Sequence, residues 1–298
     1  MPEVNDAHRV VLIGDALIDE IRGDGPVATF VGGAALNVAV GLSVLGIPTT
    51  LLAMVGNDDA GERIRAFLAE YGVALVATIG PNGSSRAVSD RVNGEPVYIF
   101  NEAARSRHIH FGPTEREALD AAQLVVVSSF PFDDPEQSAE LVAAVRDPMA
   151  RLVIDPNPRA GMLHDRDAFR ASFDRVAPQT LIVKVGDEDA ALLYDSNVEQ
   201  LTAHLLAIGT PTVLATAGAN GASVEDRDGT VVTEPIAGLA GPVVDSMGAG
   251  DATLASVIQS ILLNGFPAGS SAWHAVLERA MRVAAATCRS EGALLRQA

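Results

Sequence analysis

Short apolar runs and helical stripes alternate along most of this chain. Residues 10–13 are uninterrupted valine, leucine and isoleucine ending at Gly14, the pattern of a strand buried on both faces. Residues 18–22 and 27–31 read as two further strands around the turn-rich Gly23-Asp24-Gly25-Pro26. Gly32-Gly33 then opens a helix with Leu36, Ala39, Leu42 and Leu45 on one face, stopped by Gly46 and Pro48. A strand over 50–55 and a helix over 61–71, carrying Ile64, Phe67, Leu68 and Tyr71 and closed by Gly72, continue the alternation.

Residues 84–101 break the rhythm. Segments 85–92 and 96–101 are strand-like and meet at Asn93-Gly94, a hairpin signal. With residues 18–31 they predict a small separate sheet acting as a lid. Beyond it, Thr114 with Glu117, and Asp134-Pro135 with Gln137, read as capping boxes opening two helices around the run 124–128. Strands are predicted at 152–155, 181–185 and 211–216. A hairpin over 222–226 and 230–234 turns at Asp228-Gly229, and helices over 251–264 and 271–288 finish the chain. In the first of these, Leu254, Val257, Ile258, Ile261 and Leu262 form an amphipathic stripe.

Strands alternating with helices imply an α/β fold: a largely parallel central sheet, helices on both faces and right-handed crossovers. Ligands in such sheets sit outside the carboxyl ends of the strands. No repeat or linker divides the chain, so residues 1–298 read as one domain, with the lid built from segments of about 16–31 and 85–105.

The candidate chemistry concentrates at residues 247–251, Met-Gly-Ala-Gly-Asp, a small-residue loop feeding a helix N-terminus. First-turn N–H groups lack helical partners and carry partial positive charge, which suits an anion. A carboxylate at Asp251 beside such a site makes sense if it takes a proton from an alcohol attacking a phosphoryl group. Taken alone, the stretch reads equally as a turn and a helix cap. Gly32-Gly33 with Asn37 is the second signal: the pair reads equally as a plain tight turn or as glycines that admit a sugar hydroxyl to the backbone, with the amide offering a donor and an acceptor to a diol. Asp19 can accept from two hydroxyls.

Composition narrows the classes. A net charge of −17 argues against nucleic acid and anionic membrane as partners. Cys288 is the single cysteine, which fits a reducing compartment and the role of a small buried apolar residue. No signal-peptide pattern and no apolar run of about 18 residues is present, predicting a cytoplasmic protein. No G-x-x-x-x-G-K-[ST] occurs, and no G-x-G-x-x-G follows the first strand, which ranks a dinucleotide-dependent oxidoreductase last.

Taken in order, Gly14-Asp15-Ala16-Leu17-Ile18-Asp19, Gly32-Gly33-Ala34-Ala35-Leu36-Asn37, Asp155-Pro156-Asn157-Pro158-Arg159, Lys184-Val185-Gly186-Asp187-Glu188-Asp189, Thr216-Ala217-Gly218-Ala219-Asn220-Gly221 and Asp245-Ser246-Met247-Gly248-Ala249-Gly250-Asp251 resemble the ribokinase-like (pfkB) carbohydrate kinases, and fructokinases most. The resemblance covers nearly the whole chain. It implies the ribokinase-like fold and a cytoplasmic, ATP- and Mg²⁺-dependent kinase acting on a primary hydroxyl of a small-molecule sugar, with fructose first. Nucleosides, 2-keto-3-deoxygluconate and tagatose-type sugars are the alternatives, and a non-catalytic sugar sensor is the rival outside catalysis.

The resemblance also assigns roles. Asp251 matches the general base, and the backbone of Gly248, Ala249 and Gly250 the anion hole. Asp15, Asp19, Gly32, Gly33 and Asn37 match sugar-contacting positions, and Arg159 an arginine near sugar or phosphate. Thr216, Gly218 and Gly221 match the nucleotide-binding strand and loop. Lys184, the only lysine against 20 arginines, either reaches the ATP phosphates or is buried at a strand end beside Asp187 or Glu188. The family's metal-linked N-x-x-E appears here as Gly186-Asp187-Glu188-Asp189, where Asp189 can hold Mg²⁺ through water. The tyrosine–arginine pair common in the second lid strand of fructokinases is Phe100-Asn101 here. The loop near Asp245 resembles one that holds a monovalent cation such as K⁺. Relatives often pair through their lids, which makes a homodimer the expected assembly.

Overall fold

The computed structural model describes residues 9–22, 27–92 and 95–297. Its first part runs β1 (Val10–Gly14), β2 (Leu17–Ile21), β3 (Ala28–Gly32), α1 (Ala34–Val44), β4 (Thr49–Met54), α2 (Asp59–Glu70), β5 (Ala74–Thr78), β6 (Ser85–Val92) and β7 (Glu95–Phe100). The middle holds α3 (Glu102–Arg105), α4 (Pro113–Ala121), β8 (Leu124–Ser128), α5 (Pro135–Ala144), α6 (Pro148–Arg151), β9 (Leu152–Asp155), α7 (Arg166–Val176), β10 (Ile182–Gly186), α8 (Asp187–Tyr194) and α9 (Val198–Ala207). The chain closes with β11 (Thr212–Thr216), β12 (Ala222–Asp226), β13 (Val231–Glu234), α10 (Ala249–Asn264) and α11 (Gly269–Thr287).

Nine strands form the central sheet in the order β13-β12-β11-β10-β9-β8-β1-β4-β5, and antiparallel pairing is confined to β11–β12 and β12–β13 at one edge. Its inner strands are valine- and isoleucine-rich and buried along their length, because helices cover both faces. The core is accordingly double. One cluster joins α1, α10 and α11 to the sheet, and the other joins α5, α7, α8 and α9 to the opposite face. The small sheet, β3-β2-β6-β7, is the predicted second one, but its central pair β2–β6 is parallel, so the two predicted strand pairs are stitched side by side. Both expected turns, at residues 23–26 and 93–94, lie outside the described residues.

Five expectations change. The strand β5 has no alternating pattern, and it forms because the chain leaving α2 at Gly72 lies beside β4. The fourth helix has Gly112 as N-cap and Pro113 in its first turn, so Thr114 caps nothing. Asp134 does cap α5, but the Gln137 side chain binds both the N–H and the carbonyl of Ile109 instead of closing a capping box. The helix α10 starts two residues early and is buried continuously from Asp251 to Leu262 between α1 and α11, so its stripe belongs to a fully enclosed helix. Cys288 is half-buried rather than buried. Among the described residues no helix is long and apolar enough to cross a membrane.

Candidate active site

Parallel strands end on the same side, and the sheet register sets Gly14 beside Ser128, Ser128 beside Asp155, and Gly186 beside Thr216. The residues following these positions form the mouth of the crevice. Just past β1, Asp15 turns back to α1: its Oδ1 accepts from the Ala35 N–H at 3.0 Å, and its carbonyl accepts from the Leu36 N–H at 3.2 Å. Gly33, the N-cap, has φ +115°, and a Cβ there would lie 2.8 Å from the Asp15 carbonyl oxygen. A Cβ on Gly32 would lie 2.3 Å from Asp19 Oδ2, so the small sheet delivers the Asp19 carboxylate directly against the glycine pair. Burial, and then the neighbouring Asp15, push Asp19 up to about 6, with Arg159 opposing.

On the other side stands the start of α10. Gly248, its N-cap, is left-handed at φ +77°, and a Cβ would collide with the Ala293 carbonyl. The N–H of Ala249 is turned back onto the Ser246 carbonyl at 3.3 Å, whereas those of Gly248 and Gly250 have no partner among the described residues. The expected three-amide anion hole is therefore two free amides and one committed to the loop. Asp251 is not a cap: it is the third helical residue and points at α1, where Asn37 Nδ2 donates to its Oδ2 at 2.9 Å. Both side chains are buried, and Asn37 Oδ1 has no partner. Burial, then the charge of Asp155, raise Asp251 to about 6 against the lowering effects of Asn37, Lys184 and Arg159.

The floor between these two sides holds a pair that sequence reasoning missed. Lys184 Nζ donates to both carboxylate oxygens of Asp155, at 3.2 and 3.1 Å, and both groups are buried. Lys184 thus serves neither Asp187 nor Glu188. Burial works against its charge, but Asp155, Asp189 and Asp251 outweigh that and raise it. A Cβ on Gly250 would stand 3.2 Å from Lys184 Nζ, so the ammonium lies directly beneath the phosphate-suited loop.

Arg159 reaches the mouth after Asn157, whose left-handed φ of +39° between two prolines turns the chain. Its Nη1 donates to Glu188 Oε2 at 2.8 Å. Although burial disfavours its charge, Glu188, Asp15, Asp251 and Asp189 hold it above its ordinary value. Asp189 Oδ2 accepts from the Gly186 N–H at 2.6 Å, closing the N-terminus of α8, and burial raises its carboxyl. Among the described residues no group of three metal-type ligands converges. Thr216 Oγ1 donates to the Val185 carbonyl at 3.3 Å. Gly221, at φ +93°, lets the loop pass the Glu234 carbonyl, which a Cβ would meet at 2.1 Å, and Gly218 is left-handed at φ +50° in open space. Asp245 Oδ1 and Oδ2 accept from the N–H groups of Met247 and Gly292 at 2.9 and 3.2 Å.

The structure thus brings Asp15, Asp19, Gly32, Gly33, Asn37, Arg159, Lys184 and residues 248–251 to one mouth, with Thr216 and its loop at the neighbouring strand end. Asp155 carried a sequence signal, an acid ending the apolar run 152–154. Arg107, which faces Asp15 from the segment after the small sheet, carried none.

The pfkB family of carbohydrate kinases matches residues 8–296. A fructokinase from Rhizobium leguminosarum bv. trifolii is 31% identical over 268 residues, covering 86% of this chain and 80% of that protein. Among solved structures, aminoimidazole riboside kinase from Salmonella enterica, complexed with aminoimidazole riboside and an ATP analog, superposes with a TM-score of 0.76 at 21% identity over 96% of this chain and 95% of that one. Fructokinase from Vibrio cholerae O395, in its fructose, ADP and calcium ion bound form, gives 0.72 at 22% over 97% and 96%. This chain belongs to the pfkB family of carbohydrate kinases, phosphotransferases that use an alcohol as acceptor.

Proposed function

We propose that the chain transfers the γ-phosphoryl group of ATP to a primary hydroxyl of fructose, with Asp251 as general base. The observation that carries this reading is the state of Asp251: a buried carboxylate with one amide partner, beside first-turn N–H groups without partners, and pushed up to about 6. Such a group is ionised at neutral pH yet basic enough to take a proton from an alcohol. The fructokinase from R. leguminosarum supports the sugar.

The sugar lies between the small sheet and the mouth, with hydroxyls on Asp15, Asp19 and Asn37 and its ring against Gly32 and Gly33. The free Oδ1 of Asn37 is an acceptor waiting for a hydroxyl. As the alcohol oxygen bonds to the γ-phosphorus, Asp251 receives its proton, and the bond from that phosphorus to the β–γ bridging oxygen breaks, releasing ADP. The amides of Gly248 and Gly250 face the transferred oxygens, with Ala249 as the turn that aims them. Lys184 lies beneath the same loop, Arg159 stands over it, and Thr216, Gly218 and Gly221 hold the nucleotide. Closing the small sheet over the sugar excludes water.

Bound Mg²⁺ supplies charge neutralisation on the phosphates. The donor set fits an ion held mainly by phosphate and water, with the second oxygen of Asp189 as its protein contact. The Asp245 loop is the place for a monovalent cation such as K⁺, and the exposure of Phe30, Tyr98 and Ile99 supports a homodimer formed through the small sheet.

A panel of fructose, tagatose, 2-keto-3-deoxygluconate and nucleosides, each with ATP, Mg²⁺ and K⁺, tests the reading through ADP release and ³¹P NMR of the product. Fructose is expected to give the highest kcat/KM and a primary phosphate ester. An inert fructose beside a phosphorylated nucleoside or sugar acid overturns it.

A further inference from the structure

Two groups beside Asp15 are not used by the reading above. Arg107 lies between α3 and α4, in the segment that leaves the small sheet. Its Nη1 donates to the Ala104 carbonyl at 3.1 Å and its Nε to the Ser129 carbonyl at 3.3 Å, while the guanidinium faces Asp15 and Asp133. Ser129 follows β8, is 1% exposed, and is left-handed at φ +53°. Its hydroxyl faces Asp15 but has no hydrogen-bond partner of ordinary geometry. A non-glycine residue in that conformation persists only where its surroundings over-determine it. They do so here: the Ser129 N–H donates to the Asp155 carbonyl at 3.2 Å, and its own carbonyl is held by Arg107.

We propose that Arg107 is a positioning residue for the acceptor alcohol: clamped to the carbonyls of Ala104 and Ser129, it ties the exit of the small sheet to a floor made by Asp15 and the Ser129 hydroxyl. The assignment rests on the acceptor site argued above. Asp15 Oδ1 is committed to the Ala35 N–H, which leaves Oδ2 for a sugar hydroxyl, and the unpartnered Ser129 hydroxyl stands beside it. The segment leaving the small sheet is therefore tied, through Arg107, to a floor anchored on β1 and β8 of the central sheet.

Charge acts in the same direction. Burial raises the Asp15 carboxyl, and the Ala35 N–H, Arg107, Arg159 and the Ser129 hydroxyl oppose that, with Asp19 as the neighbouring like charge. Burial works against the Arg107 charge, with Asp15 and Asp133 opposing that from beyond ion-pair contact, and Asp133 accepts from the His164 N–H at 2.7 Å. An ionised Asp15 accepts hydrogen bonds from a sugar better than a protonated one. Removing the guanidinium therefore raises Asp15 further and weakens the acceptor's grip.

The test uses Arg107→Gln and Arg107→Lys in the full chain. It reads the acceptor KM, the ATP KM, kcat, and the Asp15 titration by carboxyl ¹³C NMR, with Asp15→Asn as the assignment control. In Arg107→Gln the acceptor KM is expected to rise about tenfold or more, the scale of one charge-assisted contact. The ATP KM should stay within about twofold, and the Asp15 titration should move to higher pH. Arg107→Lys keeps the charge and loses the planar fork, so its titration should return towards wild type while the acceptor KM stays raised. A merely structural role predicts both KM values and thermal stability worsening together with an unmoved Asp15 titration, and that result overturns the proposal. Wild-type inactivity towards every acceptor on the panel counts against the fructose reading instead, and the Asp15 titration in the two variants then decides for or against Arg107.

Discussion

Two buried carboxylates share the mouth of this crevice and are treated in opposite ways. Asp155, at the end of β9, is 0% exposed and gives both oxygens to Lys184. Asp251, in the first turn of α10, is 8% exposed and has only the Asn37 amide. Asp155 also pushes Asp251 up, because their charges repel across the floor. The same residue type is thus tied into an ion pair where a buried cation answers it, and becomes a proton acceptor near neutral pH where only a neutral amide does. Position at the strand ends is common to both, and the partner decides the chemistry.

The largest effect follows from removing the acceptor and keeping its shape. Asp251→Asn should lower kcat by roughly 10²–10⁴ with nucleotide binding intact, the range for a lost general base. The variant should also be more stable near pH 7. The folded pKa of Asp251 is raised above 3.8, so this group's contribution to wild-type stability is fullest below about 4 and is lost as pH rises through about 6. Asparagine escapes that cost, which is at most about 3 kcal/mol for a shift of this size. Denaturant melts of both proteins at pH 4 and pH 7.5 check the sign: the gap should open at the higher pH. Near-normal turnover in the variant would remove Asp251 from the mechanism.

The sequence made one member of the comparison visible and hid the other. Small residues ahead of Asp251, followed by a long apolar helix, are local signals, and so are the strand pattern of the small sheet and the glycine pair before Asn37. Asp155 and Lys184 are 29 residues apart and meet only because β9 and β10 are parallel neighbours, a fact of register that local periodicity does not carry. Local sequence accordingly offers Lys184 only the acids next to it, Asp187 and Glu188. Arg107 was invisible for a stronger reason, since it answers two carbonyls and the charges of two carboxylates spread over three separate segments. Thr114 misled because a side-chain pattern for capping loses to Pro113, which starts the helix two residues earlier than a Thr114 cap would.

Breaking the neutralised member should cost stability before chemistry. Lys184→Met leaves Asp155 buried without its cation, a loss of about 3–5 kcal/mol for such pairs. Lys184→Met with Asp155→Leu removes both charges and should recover most of it, as measured by urea midpoints. Lys184 also lowers Asp251, so the acid limb of kcat, expected near 6 in the wild type, should move to higher pH in the single variant. A limb that stays put while stability falls would separate the two carboxylates and refute their coupling.

The smallest effect belongs to the pair at the rim. Arg159 and Glu188 meet at 2.8 Å, but their side chains are 43% and 83% exposed, so water and salt screen them. Exposed pairs contribute about 0–1 kcal/mol, so Glu188→Ala should change stability by no more than about that and kcat/KM by less than about twofold in 0.15 M salt. Any change should shrink further at 1 M salt, where the Debye length is about 3 Å. The contrast with Lys184→Met is the point of the measurement, because both substitutions delete one half of a contact near 3 Å and only burial separates them. A Glu188→Ala loss as large as that of Lys184→Met would mean that Arg159 takes its charge balance from the rim, and that distance rather than burial ranks the ion pairs of this site.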